Sequence, residues 1–195
     1  MNIISNCCIG GFLYKNEFKK EFENPFIWSA ISFDSFIKLM DNYYTINYNN
    51  IMMEVNKIHG GYNLIIDNSV KVQYIHYRFN KNFKKPTVKG VNIYYCRIWK
   101  YIVEKYKQRL KRMLTNNEQP IWVMKDTFWD FTSENCKLLL EKHKDKHIIL
   151  CTKDPELKCY ESSNIKIILD DDPRIPNMQG ANQHLAKLIY NNCFK

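Results

Sequence analysis

The sequence predicts an α/β fold: a mostly parallel sheet flanked by helices, with a small antiparallel strand insertion around residues 51–77. Three observations predict it. A short apolar run at residues 2–5 reads as a buried strand, and it leads through Asn6, Cys7 and Cys8 into a helix from Gly10 or Gly11 to Phe18. From residue 121 onward strand and helix patterns alternate, as they do where parallel strands carry helices on their faces. Between these regions, β-rich runs at 51–55, 62–66 and 70–77 are punctuated by Gly60-Gly61 and Asp67-Asn68, which marks antiparallel pairing.

The remaining elements follow in order. Residues 19–24 are a charged connection ending at Pro25-Phe26-Ile27-Trp28. Ser32 or Asp34 caps the next helix, on which Phe33, Phe36, Ile37 and Met40 share a face. Residues 42–50 are rich in Asn and Tyr and read as loop; residues 78–90 form a basic, irregular loop with Pro86. The clearest helix spans 96–114. Trp99, Ile102, Val103, Tyr106, Leu110 and Met113 fall at three- and four-residue spacing, and Lys100, Lys105, Lys107, Lys111 and Arg112 cover the other faces. Strands at 121–125, 147–152 and 164–169 then alternate with helices at 133–143 and 180–190. His143 and His147 flank a lysine-rich connection and are expected to be exposed. No repeat, low-complexity tract or linker divides the chain, so one domain over residues 1–195 is expected.

Composition narrows the class. A chain of 195 residues, 45% hydrophobic and 25% charged, can bury a real core. The net charge of +9 raises the question of nucleic acid. Arginine, the residue suited to bidentate phosphate and base contacts, occurs only at Arg78, Arg97, Arg109, Arg112 and Arg174, which argues against that partner. Lysine supplies the rest of the positive charge, amid the Asn, Ile, Tyr and Phe excess that AT-rich coding produces. Seven cysteines without CxxC or framework spacing point to neither structural zinc nor a disulfide scaffold. No basic-then-apolar leader and no apolar run near the roughly 20 residues of a membrane span is visible, so a reducing, cytoplasmic location is expected.

In open α/β sheets ligands bind at the carboxyl ends of the strands. Those positions hold Asn6-Cys7-Cys8, Asp126, Thr152-Lys153-Asp154 and Asp170-Asp171-Asp172. A thiol where a helix begins meets the dipole and free N–H groups, which favour the thiolate and can also hold an oxyanion. Gly10 and Gly11 would let a substrate approach. The plainer account is two buried cysteines at a strand end. His76, near the end of the alternating run 70–77, is the candidate base for a cysteine nucleophile, or else a hydrogen-bonded sheet histidine. Trp28 could line a pocket mouth, although loop aromatics often close a core edge. Asp170, Asp171 and Asp172 are similar to acidic triplets that hold a divalent metal against a nucleotide-sugar diphosphate; capping a turn is their more ordinary use, and no metal is expected. Neither GxGxxG nor GxxxxGK[ST] is present.

Taken together, several of these pieces resemble two related families of bacteria and large DNA viruses. Ile3-Ile-Ser-Asn-Cys-Cys-Ile-Gly-Gly11, Tyr14, Pro25-Phe26, Phe36-Ile-Lys-Leu39 and Ile75-His-Tyr77 resemble an exopolysaccharide-biosynthesis family of unknown function. Its members carry an Asn-Asn-Cys-Trp-Gly-Gly-like turn after the first strand and a later Phe-Leu-His-Tyr-like strand. Asn6-Cys7, Pro25-Phe-Ile-Trp28 and the basic helix from Glu104 to Arg112 resemble a papain-like cysteine peptidase family. The likeness covers about residues 1–125. It departs where Ile27 stands in place of the peptidase-type aspartate, and the family cysteine aligns with Cys7 or Cys8. No third triad member carries over.

The resemblance implies a Cys/His site, with Cys7 or Cys8 as nucleophile, His76 as base, and Asn6 or nearby N–H groups as oxyanion donors. It implies acyl-type transfer to a carbohydrate or glycan precursor, with a coenzyme A ester as a candidate donor. A papain-like hydrolase is the close alternative. A small glycosyltransferase using the acidic triplet and a non-enzymatic polyanion-binding module are further ones.

Overall fold

A computed structural model describes residues 1–20, 25–26, 29–56, 61–74, 103–115, 118–126, 128, 130–171 and 179–195. In chain order the elements are β1 (Ile3–Ser5), α1 (Ile9–Phe12) running into a π-helical turn (Leu13–Glu17), β2 (Ala30–Ile31) and α2 (Phe33–Asn42). Next come β3 (Ile51–Asn56), β4 (Gly61–Ile66), β5 (Val70–Tyr74) and α3 (103–115). The chain closes with β6 (Ile121–Lys125), α4 (Ser133–Lys142), β7 (His147–Thr152), a 3-10 helix (Pro155–Tyr160), β8 (Ile165–Leu169) and α5 (Gln179–Cys193).

One sheet is parallel throughout, in the order β1-β6-β7-β8, and it carries helices on both faces as the alternating pattern predicts. Strand alternation sorts its side chains. Ile4, Trp122, Met124, Ile148, Leu150 and Ile167 enter the core beneath α2, α3 and α4, while Ile3, Val123, Ile149 and Cys151 pack beneath α1 and α5. On the first face Phe36 meets Trp122 and Phe131 edge-on at 5.4 and 5.6 Å, contacts that add about 0.5–1.5 kcal/mol each beyond area burial. Thr132 caps α4 by accepting the Asn135 N–H at 3.2 Å.

The second sheet is antiparallel, in the order β2-β5-β4-β3. Its β4–β5 turn holds Asp67 and Asn68 at φ of 50° and 55°, a conformation that Asp and Asn tolerate better than other non-glycine residues. The sheet is larger than the expected insertion around residues 51–77, because β2 joins it through Ala30 opposite Gln73 and Ile31 opposite Val72. A two-residue strand has no periodicity to read; tertiary pairing creates it. The Ile31 N–H also donates to the Asn6 carbonyl at 3.1 Å, which ties this sheet to the turn after β1.

Two expectations need correction. The first helix begins at Ile9, one residue before the glycines. His143 is buried rather than exposed, with Nε2 3.3 Å from Asp41 Oδ1, and burial pushes its pKa below the ordinary value. The turn after α4 folds back under α2, where Asp41 offers a partner. His147 is exposed as expected. Of the long basic helix, residues 103–115 are described, and Val103, Tyr106, Leu110 and Met113 are buried on one face as the spacing predicts. No helix among the described residues is long and apolar enough to cross a membrane.

Candidate functional site

The carboxyl edge of the parallel sheet gathers polar side chains that are almost completely buried. Ser5, Asn6, Lys125, Asp126, Thr152 and Asp170 all lie there, and each is at most 7% exposed. Burying so many polar groups in one place is costly unless each finds a partner. The partners are mostly visible.

Asn6 joins β1 to β6. Its Nδ2 donates to the Lys125 carbonyl at 3.1 Å, and its Oδ1 accepts the Lys125 N–H at 3.1 Å. Asn6 thus works as a backbone clamp, not as a free oxyanion donor. Cys7 follows at 1% exposure, with its N–H donating to Ser5 Oγ at 3.3 Å. Burial pushes the Cys7 thiol up to about 11, against the Ile9 N–H, the Lys125 ammonium and the Ser5 hydroxyl, which all pull it down. The expected thiolate at a helix start is therefore not the resting form: desolvation outweighs the local N–H groups. Cys8 is pushed to about 12 by burial and by neighbouring Cys7. Gly10 and Gly11 are buried in α1, which packs on α5, so their missing side chains serve helix contact rather than an open approach to the site.

Sequence reasoning missed Lys125. Its side chain is 1% exposed, and Nζ lies 3.3 Å from Asp170 Oδ2, itself 3% exposed. The available signal was a lysine closing the apolar strand Ile121-Trp-Val-Met-Lys125, on the same face as Val123. Lys125 pairs in register with Cys151, and continuing the β1–β6 register past Ser5 brings Cys7 to the same level. Two strand spacings, roughly 9–10 Å, separate β1 from β7, too far for a disulfide between Cys7 and Cys151.

On the opposite face of this edge Thr152 donates to Asp126 Oδ2 and accepts the Asp154 N–H at 2.9 Å. Asp126 Oδ1 is buried with no hydrogen-bond partner among the described residues. Burial pushes this carboxyl above its ordinary value, against the Thr152 hydroxyl and the Lys153 N–H.

The predicted acidic triplet divides. Asp170 is committed to Lys125, while Asp171 is exposed, with the His184 Nε2 3.6 Å from its Oδ1. Asp172, His76 and Trp28 lie outside the described residues. Among the described residues no cluster of three or more His, Cys, Asp or Glu forms a metal-binding group. A groove of about 480 Å³ opens at the other, amino edge of the sheet, beside Asn2, Ile121, His147 and Lys166. The polar cluster is at the carboxyl edge, where parallel sheets bind ligands, and is the stronger candidate.

Residues 1–89 match a family model described as a domain of unknown function (DUF1919). No curated protein and no solved structure matches the chain. The matched stretch contains Cys7, Cys8, Trp28 and His76 but not Lys125, Asp126, Thr152 or Asp170. It also separates β1 from its partner β6, so residues 1–89 include Ser5, Asn6 and Cys7 of the candidate site and the other members lie in the rest of the chain.

Proposed function

We propose that this protein is an enzyme of surface-polysaccharide or glycan synthesis that works by acyl-type transfer through Cys7. The observation that carries the reading is the setting of Cys7: the carboxyl end of a parallel strand, a backbone N–H directed at the sulfur, and a buried ammonium group nearby. Residue resemblance supplies the glycan setting and His76 as the base.

In this reading the Cys7 proton passes to His76 as the sulfur attacks the acyl carbonyl of a coenzyme A ester. The sulfur–carbon bond forms, the bond to coenzyme A breaks, and the departing thiolate takes up the proton. A sugar hydroxyl then attacks the acyl-cysteine, gives its proton to His76 and releases Cys7, which is reprotonated. The N–H groups of the turn, Ile9 among them, would hold the carbonyl oxygen as charge develops on it. Because burial raises the Cys7 thiol to about 11, the sulfur needs a base to take its proton as it attacks.

Acetyl-CoA is the first probe, read by intact mass and peptide mapping. One acetyl group on Cys7 is expected, lost in Cys7→Ala, retained in Cys8→Ala and slowed in His76→Ala. Passage of that group to an added oligosaccharide would identify a transferase, and its release to water a hydrolase. An unmodified Cys7 across a panel of acyl-CoA esters would end the acyl-transfer reading.

A further inference from the structure

We propose that the Lys125–Asp170 ion pair is the positioning device for Cys7, holding an ammonium group at the strand ends that favours the anionic sulfur. The inference rests on the reading of Cys7 as the reacting group, and it names two residues that neither the matched domain nor the sequence motifs include as partners of that cysteine.

Placement carries the argument. A fully buried lysine is expensive, and exchanging a buried ion pair for apolar side chains is often neutral or stabilising, so the pair is weak evidence of a stability device. Here it stands at the ligand-binding edge of the sheet, with Cys7 on one side and Cys151 on the other. Asn6 grips the Lys125 backbone from both directions, so the residue before the cysteine also fixes the strand that carries the cation. A flexible surface lysine would not need such a clamp.

Among the described residues, these charged and titratable groups surround it. Asp170 at the end of β8 neutralises the ammonium, Cys7 and Cys151 feel it, and Asp126 is its sequence neighbour on the other face. Cys7 in turn raises Cys8 in the turn before α1, and Cys193 from α5 acts on Cys151. Cys136 in α4 is influenced by Asp126 and not by Lys125. Cys151 and Cys7 share the cation, but Cys7 also has the Ile9 N–H and the Ser5 hydroxyl, while burial pushes the Cys151 thiol well above its ordinary value.

The two members of the pair then have opposite effects on Cys7, which a purely structural role would not produce. The measurement is the rate of modification of Cys7 by methyl methanethiosulfonate at a fixed mildly alkaline pH. It is taken by peptide mapping relative to buried Cys136, so that any general loosening of the fold cancels. Lys125→Met is expected to slow Cys7 about tenfold or more relative to Cys136, and Asp170→Asn to speed it by a similar factor. Because the two effects oppose, Lys125→Met/Asp170→Leu, which removes both charges and leaves neither unpaired, is expected to fall between the single variants, and whichever single variant folds is read against it.

An unchanged ratio, or the same change in both single variants, would overturn the proposal. No acyl donor enters this experiment. A wild-type protein that fails to take up acetyl groups, yet shows the opposed shifts, would lose the acyl-transfer reading and keep the role of the ion pair. A protein that acylates Cys7 with an unchanged ratio would do the reverse.

Discussion

The two faces of one sheet edge handle buried charge in opposite ways. Beneath α1 and α5, Lys125 and Asp170 neutralise each other at 3.3 Å and stand beside a thiol. Beneath α4, Asp126 has a threonine hydroxyl and a backbone N–H but no neutralising cation as its main partner, and one of its oxygens is unpartnered among the described residues. The first arrangement keeps both charges inside the protein; the second favours a protonated carboxyl. The same depth of burial thus yields an ion pair where a cation is supplied and a perturbed acid where it is not. An acid of raised pKa at a strand end is also a candidate proton carrier for a hydroxyl acceptor.

Breaking the ion pair should have the largest effect. Lys125→Met leaves Asp170 buried without its cation and is expected to cost about 3–5 kcal/mol in denaturant unfolding, most of it regained in Lys125→Met/Asp170→Leu. A single variant as stable as wild type would mean that Asp170 finds water instead. Asn6→Ala should rank next. It strips the partners from a buried N–H and a buried carbonyl of Lys125, so a loss of roughly 2–4 kcal/mol is expected.

Asp126→Asn sharpens the other side of the comparison and should change pH dependence more than stability at its optimum. Because the folded carboxyl titrates above its ordinary value of 3.8, the folded state binds more protons than the unfolded state between the two values. Its contribution is therefore fully present below 3.8 and is lost as pH rises through the folded value. Urea titrations of the wild type across that range should show this component of stability declining with rising pH, and Asp126→Asn should remove it. His143 has the opposite sign: its lowered value makes stability fall as pH drops below 6.5, so the readout is the difference between wild type and Asp126→Asn.

Much of the parallel sheet was legible in the sequence, for a local reason. The apolar runs that became β1, β6, β7 and β8 are contiguous, and the helices between them carry their own periodicity and caps. The same holds for the hairpin at Asp67-Asn68, where two adjacent residues determine the turn. The strand ends could be identified from those runs, and with them Asn6, Cys7, Asp126, Thr152 and Asp170 as residues of one edge. What could not be read was their charge state. A thiol following a strand and preceding a helix looks activated when only the helix is considered, but α5 and the neighbouring strands exclude water from it and reverse the result.

By itself, then, the sequence determined the class of the fold, the order of its main strands and helices, and the edge on which its buried polar side chains collect, because each of these follows from patterns a few residues long. Tertiary structure alone decided that β2 joins the second sheet, that His143 turns inward to Asp41, that Asn6 holds the backbone of a residue 119 positions away, and that Lys125 meets Asp170. These are pairings between distant segments, and burial, which sets the protonation of every group among them, is a property of the packed whole.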